Sequence, residues 1–193
     1  MGRKVCGGNT RIKNSMITFK NTNIKGVFTF DQERNEDLRG YFARTFCTNE
    51  FTKAGFNFSI DQISTSFNPK IGTLRGMHYQ IEPHSEVKIV RCTRGAIYDV
   101  VLDLRVTSTT YLKWLSFELN ADNGKSLLVP RGCAHGFQTL QDDTEVLYIN
   151  SGLYSAKCSR TVRWDDPAFN INWPPCGNRV MSIKDRSQID FIK

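Results

Sequence analysis

Turn-forming residues divide the chain between residues 60 and 150 into short runs, and no long amphipathic helix interrupts them. Strand-like segments are expected at 60–67, 73–80, 86–93, 96–104, 112–119, 126–129, 136–140 and 144–150. Asn68-Pro69, Gly95, Asn120 to Gly124, Pro130 to Gly132 and Gln141 to Asp143 separate them. Gly supplies positive φ, Pro fixes φ, and Asn and Asp bond their own backbone, so each breaks a strand for its own reason. Many short strands punctuated in this way predict an all-β sandwich or barrel.

Ahead of this block the alternation is weaker. Ile17 and Phe19 precede a turn, Val27, Phe28 and Phe30 follow it, Asp37-Leu38-Arg39-Gly40 makes a second turn, and Tyr41 to Phe46 resumes a strand. Glu50 to Gly55 reads as a short helix ended by its glycine. Beyond Trp164 the chain turns Trp- and Pro-rich and ends in Met181 to Arg186, read as a wrapping segment with a short terminal helix. Residues 1–15 are rich in Gly, Lys and Arg without a period, and are read as a flexible N-terminal extension or leader. Residues 16–193 are taken as a single domain, since 193 residues suffice for one full core.

Charge and cysteine usage narrow the partners. The net charge of +7 suits an anionic ligand, but the basic residues are dispersed, with no Lys/Arg run of five and no zinc-finger or RRM-like signature. Nucleic acid is therefore not the expected partner. Six cysteines include no Cys-x-x-Cys pair, and no apolar leader opens the chain, so reduced thiols in a cytoplasmic protein are expected. No segment has the length of a transmembrane helix, and no membrane association is expected.

The polar chemistry concentrates in two strand contexts. Arg75-Gly76-Met77-His78-Tyr79-Gln80 and the run from Lys88 to Arg105 place an arginine, a histidine and a lysine on β-type segments. Pro130-Arg131-Gly132-Cys133-Ala134-His135 places a second histidine after a tight turn. Gly124, Pro130, Gly132 and His135 have the spacing of a second cupin motif. The first motif would read His-x-His, but here it reads His78-Tyr79-Gln80. A metal needs three or four well-placed ligands. His78, Glu86 and His135 could supply three, but a cupin barrel without metal or cofactor is the expectation.

The chain also resembles the dTDP-4-dehydrorhamnose 3,5-epimerases of nucleotide-sugar metabolism, from about Met16 to Ile192. The resemblance rests on Asp37 to Phe42, Leu74 to Gln80, Lys88 to Cys92, Pro130 to Phe137, Tyr148, Tyr154, Trp164 to Pro167 and Ser182 to Asp185. It implies a cupin-type jelly-roll barrel with short peripheral helices, no cofactor, and a homodimer in which N-terminal strands close part of the site. The implied substrate is a nucleoside-diphosphate 4-keto-6-deoxy sugar, dTDP-linked, serving surface polysaccharide (O-antigen) or glycoside synthesis. The implied catalytic set is His78 as base, Asp185 orienting its ring, Tyr148 as the opposed acid and Lys88 on the developing C4 oxyanion. Arg39, Gln62, Arg75, His135, Tyr154 and Lys184 are the implied substrate-binding residues.

Those residue types suit the reaction. Protons at C3 and C5 flank a carbonyl, and inverting either carbon needs a base on one face, an acid on the other and enolate stabilisation between them. Taken alone, Tyr148 and Tyr154 could be barrel-lining aromatics, Lys88 a solvated strand residue and Asp185 a helix cap. The chain departs from the family pattern at Arg44, at Ser64 and across Ser155 to Arg160, positions implied to touch the nucleotide or its diphosphate. The alternatives are a single-site C3- or C5-epimerase acting on a related nucleotide-linked 4-keto sugar, a non-catalytic carbohydrate-binding cupin, and a metal-dependent cupin oxygenase or isomerase.

Overall fold

Strand β9 (Ala96–Asp103) is buried at seven of its eight positions, so apolar material must cover both of its faces. The computed structural model of the chain describes residues 10–11 and 16–191, and shows what supplies that cover. Its first half comprises β1 (Thr10–Arg11), β2 (Ile17–Asn21), β3 (Phe28–Gln32), β4 (Arg34–Asp37), β5 (Gly40–Ala43), helix α1 (Thr48–Lys53), β6 (Gln62–Asn68), β7 (Leu74–Gln80) and β8 (Lys88–Arg94). After β9 come β10 (Trp114–Asn120), β11 (Ser126–Val129), β12 (Cys133–Thr139), β13 (Thr144–Asn150), β14 (Ser159–Thr161) and helix α2 (Ile183–Arg186).

The strands form a seven-stranded sheet in the order β1-β2-β3-β11-β8-β13-β6 and a five-stranded sheet in the order β10-β9-β12-β7-β14. All their pairings are antiparallel, and strands distant in sequence are neighbours in each sheet. This is the expected all-β jelly-roll barrel of cupin type, with two short helices at its periphery.

Alternation along the strands builds three apolar layers. Val90, Cys92, Val101, Leu127, Phe137 and Val146 meet between the sheets. Val100, Leu102, Ala134 and Met77 face the other way, where Val162, Phe169, Ile171 and Trp173 cover them. The Trp- and Pro-rich tail is thus the wrapping segment, and it closes the outer face of the five-stranded sheet. On the far side, Phe19, Phe30, Ile89 and Ile149 pack under Phe51 of α1 and the rings of Phe46, Phe56 and Phe58.

Several boundaries differ from expectation for local reasons. β12 begins at Cys133, which puts His135 inside the strand. β5 ends at Ala43, and β4 and β5 stand apart as a two-stranded hairpin. The flexible extension or leader expected over residues 1–15 lies outside the described residues apart from Thr10–Arg11, whose backbone pairs with β2.

The tightest junction lies between β7 and β12. A Cβ on Gly136 would sit 2.7 Å from Met77 Sδ, 2.8 Å from the Arg75 carbonyl and 3.0 Å from Gly76 Cα. The register shifts at this point: His78 faces His135 and Arg75 faces Phe137, so two residues of β7 oppose Gly136 alone. Such a bulge turns the strand locally. Strict alternation would put Arg75 and His78 on opposite faces, whereas here both line cavities on one side and Met77 enters the outer core. Gly136→Ala is therefore expected to destabilise the fold by about 1–3 kcal/mol, as overpacking at backbone does. A lowered urea midpoint with unchanged slope checks this, and a wild-type midpoint would show that β7 and β12 separate freely.

Candidate active site

Between the sheets lies a cavity of about 320 Å³ whose polar groups come from both walls. The five-stranded sheet contributes His78 and Gln80 from β7, His135 from β12 and Ser159 from β14. The seven-stranded sheet contributes Ser64, Lys88, Tyr148 and Asn150. A second cavity of about 540 Å³ shares His78, Tyr148 and Lys184 with the first, and adds Arg75, Ser66, Ser182 and Asp185. The imidazole of His78 and the phenol of Tyr148 thus bound the same space from facing sheets.

His78 is oriented from outside the barrel. Its Nε2 lies 2.6 Å from Asp185 Oδ1, across 107 residues of sequence. Asp185 sits on α2, buried at 4% exposure, while the His78 side chain keeps 37%. The cap of that helix is Ser182, whose hydroxyl accepts the Asp185 N–H at 3.0 Å, so Asp185 is not itself the cap. Burial pushes the Asp185 carboxyl up, but the bonds to His78, to the Gly76 N–H and to Ser182 outweigh it and leave its pKa lowered. A carboxylate at Nε2 fixes the proton on that nitrogen and leaves Nδ1 as the basic one.

A second histidine–aspartate pair lies deeper. His135 Nε2 is 2.8 Å from Asp99 Oδ2, with His135 at 3% and Asp99 at 0% exposure. Here the balance reverses: burial raises the Asp99 pKa, and His135 and Lys88 only partly offset it. The His135 and Tyr148 rings meet edge-on at 6.0 Å. Burial raises the Tyr148 pKa, the nearby Asp99 adds to the rise, and Arg75 opposes it. Tyr148 therefore keeps its phenolic proton, as a donor must.

Lys88 opens β8 and turns its ammonium into the cavity at 12% exposure, 3.0 Å from Glu86 Oε1 and 3.5 Å from the His78 carbonyl. It is not a solvated strand residue. Lys184 is exposed where the two cavities join, and Arg75 donates from Nε to Asn68 Oδ1 at 2.7 Å while lining the larger one. Two cations at the opening suit an anionic substrate group. Tyr154, 63% exposed, borders the smaller cavity on a loop whose backbone is held by Gln62 and Gln80.

Three of the residues singled out in the sequence lie outside both cavities. Gln62 lines neither cavity; its Oε1 accepts the Tyr154 N–H at 2.7 Å, so it shapes the loop. Arg39 also lines neither: it lies on the exposed β4–β5 turn and bonds Asp37. Arg44 pairs with Glu50 at 3.2 Å outside the site. Ser64 and Ser159, by contrast, do line the cavity. Among the described residues no group of three His, Cys, Asp or Glu side chains is disposed to hold a metal, so His78, Glu86 and His135 do not form a ligand set. Sequence reasoning missed Asp99 and Asn150. A carboxylate inside the apolar run Ile97-Tyr98-Asp99-Val100-Val101 was the available signal for the first; nothing marked the second.

A family model described as dTDP-4-dehydrorhamnose 3,5-epimerase matches residues 21–192. A dTDP-4-dehydrorhamnose 3,5-epimerase of Sinorhizobium fredii is 45% identical over 170 residues, covering 88% of this chain and 87% of the relative. Among solved structures, the dTDP-4-dehydrorhamnose 3,5-epimerase of Bacillus anthracis, with TDP and PPi bound, superposes with a TM-score of 0.87 at 35% identity, covering 91% of this chain and 99% of that one. The dTDP-6-deoxy-D-glucose-3,5-epimerase of Legionella pneumophila, in complex with dTDP-4-keto-L-rhamnose, gives a TM-score of 0.84 at 28% identity, covering 88% and 89%.

The lowered Asp185 pKa has a consequence for stability. A carboxyl whose folded value lies below its unfolded value, about 3.9, contributes stability that is complete above that value and disappears as pH falls through the folded one. Asp185→Asn is expected to lower the urea midpoint at neutral pH and to approach the wild type in acid. Parallel curves down to pH 3 would show that the pair with His78 is not coupled to folding.

Proposed function

The chain belongs to the dTDP-4-dehydrorhamnose 3,5-epimerase family, and on that premise we propose that His78 and Tyr148 work as opposed base and acid across the cavity between the sheets. The enzyme is an isomerase that inverts C3 and C5 of a dTDP-4-keto-6-deoxy sugar, a step of deoxysugar biosynthesis. The observation that carries the residue assignment is the His78–Asp185 pair on one wall with Tyr148 on the other.

In this reading His78 Nδ1 takes the proton from carbon. Asp185 holds Nε2–H and stabilises the imidazolium, and the C–H electron pair moves into an enolate with its charge on the C4 oxygen. Lys88 lies beside that oxyanion with His135 nearby. Tyr148 delivers its phenolic proton to the opposite face, the imidazolium of His78 releases its proton to solvent, and the phenolate recovers one from solvent. Each inversion thus removes one proton and returns one, with no net redox change. Arg75 and Lys184 take the diphosphate, for which forked and point-charge donors are suited, and Tyr154 borders the bound substrate. A carbohydrate-binding cupin would need no opposed acid and base. Residues 16–193 act as one unit here, since α2 near the C-terminus orients a histidine on β7.

The partner proposal is a homodimer. The β4–β5 hairpin projects Leu38, Tyr41 and Phe42 at 108%, 52% and 66% exposure, with the Arg34 guanidinium over the Tyr41 ring at 4.5 Å. Arg39 stands at the hairpin tip, away from its own cavity, and in this reading it serves the cavity of a second copy. No helix among the described residues is long and apolar enough to cross a membrane; a cytoplasmic location is proposed from the free cysteines.

With dTDP-4-keto-6-deoxyglucose in D₂O, followed by NMR, the wild type is expected to incorporate deuterium at C3 and C5 with inversion at both. His78→Asn should slow exchange about 10²–10⁴-fold, as loss of a general base does. Tyr148→Phe should exchange yet invert poorly, because the enolate still forms. Inversion by Tyr148→Phe at the wild-type rate would move the acid elsewhere, and inversion at one carbon would make this a single-site relative.

The trans role of Arg39 is tested by complementation. Arg39→Ala and His78→Asn should each be poorly active alone, and mixed protomers should regain activity, because one site of each heterodimer has both residues intact. No recovery in a mixture shown to exchange subunits would confine Arg39 to its own hairpin.

A further inference from the structure

One charged group inside the cavity has no part in the chemistry above. Glu86 is 9% exposed, lies just ahead of β8, and borders the same space as His78, His135 and Tyr148. Placing a carboxylate there is electrostatically adverse, because the reaction builds negative charge on the substrate in that space and burial weakens the screening. The geometry points to a compensating task. We propose that Glu86 is a positioning residue for Lys88, holding its ammonium where the enolate oxygen forms; this rests on the role given to Lys88 above.

Lysine carries a compact charge on a flexible four-carbon stem, so it does not hold its own position. The bond from the Lys88 ammonium to the His78 carbonyl is long, 3.5 Å, whereas Glu86 Oε1 lies at 3.0 Å. Glu86 is itself held. Its Oε2 accepts from Asn150 Nδ2 at 3.2 Å, and Asn150 lies directly opposite Lys88 in the β13–β8 register. The amide is oriented by this bond, since turning it over would set two acceptors against each other. Asn150 Oδ1 consequently has no partner among the described residues. The backbone next to Glu86 is pinned as well: the Val87 N–H donates to Ser151 Oγ at 2.8 Å, and the Ser151 N–H donates to the Val87 carbonyl at 2.9 Å. The chain Ser151–Val87, Asn150–Glu86–Lys88 thus ties the ammonium to the sheet at both ends.

The test compares Glu86→Gln, Glu86→Asp, Lys88→Met and the double variant Glu86→Gln/Lys88→Met, by steady-state kinetics and by deuterium uptake from D₂O. Lys88→Met is expected to reduce kcat about 10²–10³-fold, as loss of an oxyanion donor does. Glu86→Gln keeps the shape and should reduce kcat about 10–100-fold with KM within about threefold, since the interaction matters in the transition state. Glu86→Asp, which retains the charge, should recover part of that loss. The double variant should be no slower than Lys88→Met alone, because one residue acts through the other. Wild-type kcat in Glu86→Gln, or losses that multiply in the double variant, would overturn the proposal while leaving the role of Lys88 intact. Wild-type kcat in Lys88→Met would overturn both.

Discussion

Where β7 crosses β12, the backbones approach closely enough that neither Gly76 nor Gly136 has room for a Cβ. Most of the site depends on that contact. It creates the bulge that brings Arg75 and His78 to one side of β7, and it sets His78 directly opposite His135. The outward residue in the bulge, Met77, enters the core under the C-terminal wrap. That same wrap leads to α2, whose Asp185 orients His78 from outside the sheet. Packing of the outer layer and positioning of His78 are therefore one problem, solved by one junction.

Two histidine–aspartate pairs of similar length behave differently because their surroundings differ. Asp185 interacts with His78, accepts from the Gly76 N–H and sits beside the Ser182 hydroxyl, and these donors hold its charge despite burial. Asp99 is fully buried in a β-strand with only His135 as partner and one oxygen unpartnered among the described residues, so burial prevails. The first arrangement suits a group that must stabilise a cation as it forms. Burial is also the main cause of the raised Tyr148 pKa, with Asp99 adding to it. The two aspartates are thus shifted in opposite directions within one site.

The β4–β5 hairpin bears on the homodimer proposed above. Leu38, Phe42 and Arg39 are exposed on it, while Arg34 of β4 stacks on Tyr41 and donates to the Asp122 carbonyl. Arg39 belongs to the residues that the family resemblance assigns to substrate, yet it lies outside both cavities. The proposed homodimer would reconcile the two.

Much of this was legible in the sequence. The spacing of turn residues gave the all-β architecture, because a strand that ends every few residues leaves no other way to bury its apolar face. The ordered motifs named His78, Lys88, Tyr148 and Asp185, and all four meet around the joined cavities. What the sequence did not contain was direction. Period-two alternation would have separated Arg75 from His78, and only a bulge, which depends on the partner strand, returns them to one side. Gln62, Arg39 and Arg44 kept their motif positions but bond to a loop, to the hairpin and to Glu50. Glu86 and Asp99 acquire their meaning from groups 2 and 36 residues away in sequence. Motifs record which side chains are present; where each points is decided by the strands packed beside it, and those neighbours are remote in the chain.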